Sequence, residues 1–307
     1  YSSAGLQEWN DMRDIIDINS NDNVLFVTSR CSNRCIMCCQ PPSNVNVLDR
    51  NYEKNIKLID SAPKDLQSLG ITGGEPTLLG DRLFTLISHL RNTLPDTEVH
   101  LLTNGRAFSN MSYARKFYEQ CGNEKILIGI PLHSDCAADH DYIAQAKGAF
   151  DETLQGLYNL ERLGFDVELR VVLTKVTIGR LPKMANFIYR NLPFVKYISL
   201  MGLEYTGFTI KNHDIVWIDP VDYQDELEAA TLEMSRWGLN VSIFNLPHCV
   251  LKRSLWKYSV KSISDWKNEY AEFCDECIMK SECGGLFATS RRQSEGLKPI
   301  INECLCE

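Results

Sequence analysis

Residues 24–38 read VLFVTSRCSNRCIMC, a short apolar run followed directly by a loop that carries three cysteines. A short apolar run rich in β-branched and aromatic residues predicts a buried strand. In α/β proteins the loop after a strand lies at the carboxyl edge of the sheet, where functional side chains collect. The stretch therefore predicts a first strand with Cys31, Cys35 and Cys38 at its functional edge.

Short β-rich runs alternate with helical stretches from Asn23 to about Phe244. Such alternation is typical of a parallel sheet covered by helices. The predicted strands are Val24–Thr28, Leu66–Thr72, Val99–Thr103, Ile126–Leu132, Val167–Leu173 and Tyr197–Leu203. The predicted helices are Tyr52–Ser61, Asp81–Leu94, Tyr113–Gln120, Phe150–Leu163, Leu181–Asn191 and Val221–Trp237. These units predict an α/β fold, a partial (βα)6 TIM-like barrel.

The chain divides into three predicted parts. Residues 23–244 form the barrel, residues 1–22 an N-terminal extension, and residues 245–307 a small cysteine-rich domain. The last part is short and poor in long apolar runs, so we expect its own core to be too small to stabilise it. A bound metal cluster would supply the missing stability.

Charge and cysteine content narrow the class of protein. A formal net charge of -8 argues against a nucleic acid as the main partner, because nucleic-acid-binding surfaces are usually basic. No apolar run is long enough to span a membrane and no signal pattern opens the chain, so we expect a cytoplasmic protein without a membrane partner. In a reducing compartment, the twelve cysteines are better explained as metal ligands or reactive thiols than as disulfides.

The first cysteine group has the spacing CxxxCxxC over Cys31, Cys35 and Cys38. Three thiolates can hold three corners of a [4Fe-4S] cube and leave the fourth iron open for a substrate or cofactor. Zinc is the alternative metal for these cysteines, although structural zinc sites normally use paired CxxC units.

This cysteine loop, together with Gly73-Gly74-Glu75-Pro76 at the end of the second predicted strand, resembles the radical S-adenosylmethionine (SAM) superfamily. The resemblance implies that the open iron binds the amino and carboxylate groups of SAM and that an electron cleaves SAM to a 5'-deoxyadenosyl radical. Glu75 would pair with the SAM ammonium, Arg170 with its carboxylate, and Met37 would lie by the adenine. The full set of implied SAM-binding residues is Met37, Gly73, Gly74, Glu75, Pro76, Thr103, Asn104, Arg170 and Met201.

The second cysteine group, CxxCx5C over Cys274, Cys277 and Cys283, is similar to the auxiliary-cluster element of SPASM and twitch domains. The resemblance implies a second iron-sulfur cluster of the [4Fe-4S] type, with Cys249 as the expected fourth ligand. Cys304 and Cys306 are rivals for that role, and zinc is the alternative metal.

Lys147–Thr153 and Ser262–Asn268 resemble the HxsC-type maturases of His-Xaa-Ser peptide systems. The resemblance implies hydrogen abstraction from a side-chain carbon of a ribosomally made precursor peptide, giving a cross-link or an oxidation. Expected partners are that peptide, a reductant such as flavodoxin or ferredoxin, and a separate leader-binding protein, because the stretch before Asn23 is short. The alternatives are a radical SAM dehydrogenase of a small molecule and a non-enzymatic zinc-binding scaffold.

Overall fold

The computed structural model describes residues 16–20, 22–45, 48–262 and 267–301. These residues form an α/β fold on a parallel sheet of seven strands, whose order in the sheet is their order along the chain. The strands are β1 Val24–Phe26, β2 Ser68–Thr72, β3 Glu98–Leu102, β4 Ile126–Pro131, β5 Asp166–Val172, β6 Tyr197–Met201 and β7 Val241–Phe244. The helices are α1 Leu48–Ser61, α2 Asp81–Thr93, α3 Met111–Cys121, α4 Ala137–Ala144, α5 Ala149–Arg162, α6 Leu181–Asn191, α7 Phe208–Lys211, α8 His213–Val216 and α9 Gln224–Arg236.

The α/β class and all six predicted strands are confirmed, and each observed strand ends within two residues of the predicted end. The prediction of six strands was nevertheless one short, because β7 completes a seventh. This strand has only four residues, with Ser242 between its apolar positions, so periodicity alone could not separate it from a loop. Helix α4 was also missed, since its eight residues carry no strong apolar stripe.

The described residues form two compact units. The first takes those within 1–34, 41–130 and 151–167. Its strands β1 to β4 pair in parallel, and α2 buries Leu83, Phe84, Leu86, Ile87 and Leu90 at helical spacing. Phe117 of α3 lies 5.6 Å from Phe84 and 5.3 Å from Phe108 between ring centroids. This aromatic group closes the core on the helical side of the unit.

The second unit takes the described residues within 35–40, 131–150 and 168–307. Strands β5, β6 and β7 pair in parallel, and α6 packs against α9. After β7 the described chain continues mainly in short 3₁₀ turns, with one antiparallel pair, β8 Asn268–Glu269 and β9 Leu286–Phe287. This segment therefore has few hydrogen bonds of the helix or sheet type, and its backbone is held mainly by turns.

Some predicted features lie outside the described residues. These are most of the N-terminal extension, the tail residues Cys304 and Cys306, and the centre of the stretch Ser262–Asn268. Among the helices that the structure does describe, none is both long and apolar enough to cross a lipid bilayer.

Candidate functional site

In the first unit, the backbone that follows β2 runs directly along the backbone that follows β1. Gly74 N donates to Thr28 O at 2.7 Å, and Glu75 N donates to Arg30 O at 2.8 Å. A Cβ on Gly73 would lie 2.5 Å from Thr28 O, and one on Gly74 would lie 2.2 Å from Arg30 O. Both positions therefore exclude a side chain. Because these two positions have no side chain, the backbone after β2 can lie directly against the segment that leads into the cysteine loop.

The carboxylate of Glu75 is the centre of this part of the unit and is 1% exposed. Its Oε1 accepts hydrogen bonds from Thr77 N at 2.9 Å, Thr77 Oγ1 at 2.6 Å and Thr103 Oγ1 at 2.6 Å. Its Oε2 accepts from Asn104 N at 2.7 Å. Oε1 is therefore fully used by protein donors, while Oε2 has one donor and can accept another hydrogen bond. Glu75 thus joins the turn that starts at Pro76 to the end of β3.

The first part of the cysteine loop is attached to the same network. Asn104 Nδ2 donates to Ser32 Oγ at 2.8 Å, and Asn33 N donates to Cys31 Sγ at 3.4 Å. Burial raises the pKa of the Cys31 thiol, and the charge of Glu75 raises it further. The Asn33 N–H, the Asn104 side chain and the charge of Arg106 act in the opposite direction. These groups favour the thiolate, which is the form that binds iron.

Sequence reasoning missed two residues of this network, Arg106 and Glu152. Arg106 Nε lies 2.6 Å from Glu152 Oε2, and Arg106 NH1 lies 2.6 Å from Asn33 Oδ1. Arg106 directly follows Thr103-Asn104-Gly105, so its proximity to a predicted binding segment was a usable signal. Glu152, at the start of α5, lies within the stretch Lys147–Thr153 whose family resemblance was noted, but nothing in that stretch indicated a partner for its carboxylate.

In the second unit, the rest of the cysteine loop is anchored through its backbone. The carbonyls of Ile36, Met37 and Cys38 accept hydrogen bonds from Asn212 Nδ2 at 2.7 Å, Thr209 Oγ1 at 3.3 Å and Phe208 N at 2.9 Å. Gly207 has a φ of 57°, and a Cβ there would lie 2.3 Å from Cys38 O. The short helices α7 and α8 therefore hold the loop between Cys35 and Cys38. No local pattern had identified them.

Met37 is buried in an apolar cluster with Ile36, Ile143 and Val216. Cys35 packs against the same cluster. Met is unbranched and polarisable, which suits it to an irregular apolar contact surface. The structure thus shows that Met37 packs against apolar side chains. Its expected contact with the adenine of SAM stays a prediction.

His133, which follows β4, lies next to Cys35 of the cysteine loop. Its Nε2 is 3.8 Å from Cys35 Sγ, and its backbone N donates to His140 Nδ1 at 3.2 Å. Burial lowers the pKa of His133 to about 3, with a smaller contribution from His140. The imidazole is therefore neutral at physiological pH. A proton on Nε2 would let it donate to the Cys35 sulfur.

The structure brings Arg170 and Met201 together on the adjacent strands β5 and β6. Arg170 NH2 lies 3.4 Å from Met201 Sδ, and Arg170 NH1 lies 4.0 Å from Glu168 Oε2. The buried Glu168 in turn accepts a hydrogen bond from Ser199. The guanidinium is thus held on one side by protein groups while a quarter of the side chain stays exposed, as a ligand contact would require.

Two of the C-terminal cysteines receive hydrogen bonds from backbone N–H groups. His248 N and Gly285 N donate to Cys283 Sγ at 3.3 and 3.4 Å, and Ile300 N donates to Cys277 Sγ at 3.4 Å. N–H donors of this kind stabilise thiolate charge. The donor set therefore fits anionic sulfur ligands at these positions.

Cys274 and Cys283 lie close enough to Cys249 to affect its thiol. Burial raises the pKa of the Cys249 thiol, and the charges of Cys283 and Cys274 raise it further. Among the described residues, no three His, Cys, Asp or Glu side chains converge on one point as the ligands of a single metal ion do. A four-iron cube does not need that convergence, because each thiolate binds its own iron.

The sequence of the chain was compared with known families and curated proteins. The sequence profile of the radical SAM superfamily matches residues 25–188, more than half of the 307 residues. A GTP 3',8-cyclase of Nautilia profundicola is 30% identical over 187 residues, which are 58% of this chain and 55% of that protein. An Fe-coproporphyrin III synthase of Methanosarcina barkeri is 27% identical over 232 residues, 73% of this chain and 55% of that protein. The chain spans a little over half the length of these relatives.

Solved structures share the fold. Streptococcus suis SuiB bound to S-adenosylmethionine has a TM-score of 0.59 at 16% identity, covering 90% of this chain and 61% of that one. Native anSMEcpe with bound AdoMet and the Kp18Cys peptide has a TM-score of 0.57 at 17% identity, covering 90% and 91% of the two chains. At these identities the likeness establishes the fold alone.

The Glu75 network predicts that Glu75→Gln lowers the free energy of unfolding. The new amide N–H₂ group would face buried donors and leave at least one without an acceptor, at a cost of about 1–3 kcal/mol. Urea unfolding followed by circular dichroism measures the change, with Glu98→Gln as the control, since Glu98 is exposed at the start of β3. Equal stability of the two variants would contradict a buried hub.

Proposed function

This chain belongs to the radical SAM superfamily, and on that premise we propose that it is a maturase of a ribosomally made precursor peptide. Membership implies an enzyme that uses a [4Fe-4S] cluster and SAM. The proposed reaction is hydrogen abstraction by a 5'-deoxyadenosyl radical from a side-chain carbon of a His-Xaa-Ser type peptide. A cross-link or an oxidised side chain is the product.

The observation that carries the peptide proposal is the extent of the shared fold. A protein solved with a peptide bound, anSMEcpe, matches this chain over 90% of its length. SuiB, solved with its precursor peptide SuiA, matches 78% of the chain. This support comes from the shared fold. The resemblance of Lys147–Thr153 to the HxsC-type maturases adds support from a sequence motif.

A small-molecule substrate is the second candidate, favoured by the curated relatives. The Nautilia profundicola protein is named a GTP 3',8-cyclase, and its match covers 58% of this chain. GTP is a polyanion whose phosphates need several basic contacts. Of the described arginines, Arg106 and Arg180 are already engaged by Glu152 and Asp135, which leaves these two less able to bind phosphates.

We assign Cys31, Cys35 and Cys38 as ligands of the cluster that binds SAM. The chemistry that this cluster supplies when bound is the one-electron reduction of SAM. The chain's part is to hold the loop, through the first unit at Ser32 and Asn33 and through the second unit at Ile36, Met37 and Cys38.

We assign the SAM-binding groups in two sets. The segment Gly73-Gly74-Glu75-Pro76 with Thr103 and Asn104 would bind the amino end, and Arg170 with Met201 the carboxylate end. Since Glu75 Oε1 already accepts three protein donors and Oε2 accepts one, contact with an ammonium would come at Oε2 or from the neighbouring backbone carbonyls. Arg170 would offer the N–H groups that Met201 and Glu168 leave uncovered.

We assign Cys249, Cys274, Cys277 and Cys283 to an auxiliary [4Fe-4S] cluster that would accept an electron from the product radical or bind the substrate. The N–H donors to Cys277 and Cys283, and the effect of Cys274 and Cys283 on the Cys249 thiol, support this set. The proposed external partners are the precursor peptide, a leader-binding protein and a reductant such as flavodoxin or ferredoxin.

The first prediction of this proposal concerns SAM cleavage. Cys31→Ala, Cys35→Ala or Cys38→Ala should abolish formation of 5'-deoxyadenosine and remove about one cluster of iron per chain, while leaving the C-terminal cluster in place. Chromatography of anaerobic reactions and iron analysis provide the measurements, with Cys121→Ala as control because Cys121 is a buried core residue of α3. Undiminished 5'-deoxyadenosine in any of the three variants would overturn the assignment.

The second prediction tests the substrate. Coexpression with a His-Xaa-Ser repeat peptide and its leader-binding partner should change the peptide's mass by loss of hydrogen or gain of oxygen, as measured by mass spectrometry. The Cys31→Ala coexpression should leave the mass unchanged. An unmodified peptide, together with 5'-deoxyadenosine formation that depends on GTP, would instead favour the small-molecule function.

The third prediction tests the auxiliary ligands. Cys249→Ala should lose iron and loosen residues 245–307, because a small metal-bound segment draws much of its folding free energy from its metal. Cys304→Ala and Cys306→Ala should retain iron. Iron content and limited proteolysis of the three reconstituted variants decide between them. Full iron in Cys249→Ala with loss in a tail variant would assign the fourth ligand to the tail.

A further inference from the structure

Arg106 holds the start of the cysteine loop through its guanidinium. NH1 donates to Asn33 Oδ1 at 2.6 Å and to Ser32 O at 3.2 Å. Asn33 is buried, and its backbone N–H donates to Cys31 Sγ. One arginine therefore contacts the two residues that follow Cys31, one of which hydrogen-bonds the cysteine sulfur.

Arg106 is itself fixed by the framework of the first unit. Nε donates to Glu152 Oε2 at 2.6 Å, and the backbone N donates to Asn104 Oδ1 at 3.1 Å. Thr153 Oγ1 also donates to Asn104 O at 3.1 Å. The end of β3 and the start of α5 thus jointly orient the guanidinium. Only 18% of the Arg106 side chain is exposed, compared with 46% for Glu152, so solvent competes weakly at the arginine.

The guanidinium of Arg106 is also a fixed positive charge, held against the two residues that follow Cys31. The reduction potential of an iron-sulfur cluster depends on net charge and on hydrogen bonds to its sulfurs. A fixed cation beside one ligand favours the reduced, more negative state of the cluster. Arg106 therefore has two separable effects, one on loop geometry and one on charge.

We propose that Arg106, oriented by Glu152, is a positioning residue that fixes Ser32 and Asn33 of the cysteine loop and thereby sets the retention and the reduction potential of the cluster on Cys31. This inference rests on the proposed role of Cys31 as a cluster ligand. Arg106 touches neither SAM nor substrate in this proposal and acts through the loop.

The test compares Arg106→Gln, Arg106→Lys and Glu152→Gln in the full, anaerobically reconstituted chain, with Arg115→Gln, an exposed arginine of α3, as control. The readouts are the rate of iron loss to a chelator and the midpoint potential of the cluster whose electron paramagnetic resonance signal changes when SAM is added. Neither readout is turnover.

Arg106→Gln should lose iron about tenfold faster, as expected when a charge-assisted hydrogen bond is removed, and should shift the midpoint potential to a more negative value. Arg106→Lys keeps the charge but cannot bridge Asn33 and Ser32 while also reaching Glu152. It should therefore restore the potential while still losing iron faster than wild type. Glu152→Gln should lose iron faster, and adding it to Arg106→Gln should cause no further loss, since the two residues act as one unit.

Iron loss and potential in Arg106→Gln equal to those of Arg115→Gln would overturn the inference, and so would effects of Arg106→Gln and Glu152→Gln that add fully. Cys31→Ala keeps the two proposals apart. If Cys31→Ala retains SAM cleavage, the proposed ligand set fails. If Cys31→Ala loses SAM cleavage while Arg106→Gln behaves like wild type, only the role of Arg106 fails.

Discussion

The buried carboxylate of Glu75 is the interaction on which the architecture of the candidate site in the first unit depends. A buried carboxylate without partners would cost several kcal/mol, so the chain must bring donors to it. It does so with the turn after β2 and the end of β3, which accounts for the positions of Thr77, Thr103 and Asn104. Asn104 then reaches Ser32 and Arg106 reaches Asn33, so one carboxylate indirectly places the cysteine loop.

A second constraint is the negative charge that a cysteine thiolate brings into the protein. Thiolates are costly to bury, and burial raises the pKa of both Cys31 and Cys249. The chain offsets this cost with backbone N–H donors at Cys31, Cys277 and Cys283. At Cys31 it adds the charge of Arg106. Both cysteine groups therefore follow the same physical rule, although they occupy different parts of the chain.

Much of the fold could be predicted because its signals are local. Strand and helix periods are set by residues a few positions apart, so six of the seven strands and most of the long helices were found from the pattern. Leu181–Asn191 was predicted to the residue, since its apolar positions repeat at helical spacing before Leu192 and Pro193. The missed elements β7, α4, α7 and α8 are short, and their formation depends on neighbours distant in sequence.

The sequence by itself determined the family, the cysteine spacing and the two glycines that let the backbone after β2 lie against the backbone after β1. Each of these is a property of a few consecutive residues. Only the tertiary structure decided that the Glu75 oxygens accept four protein donors, that Met37 packs in an apolar cluster, and that Arg106 and Glu152 meet although they are 46 positions apart. Such contacts depend on which strand ends lie side by side. Composition and spacing do not reveal which strand ends are adjacent, because these groups meet only after the chain between them has closed into long loops.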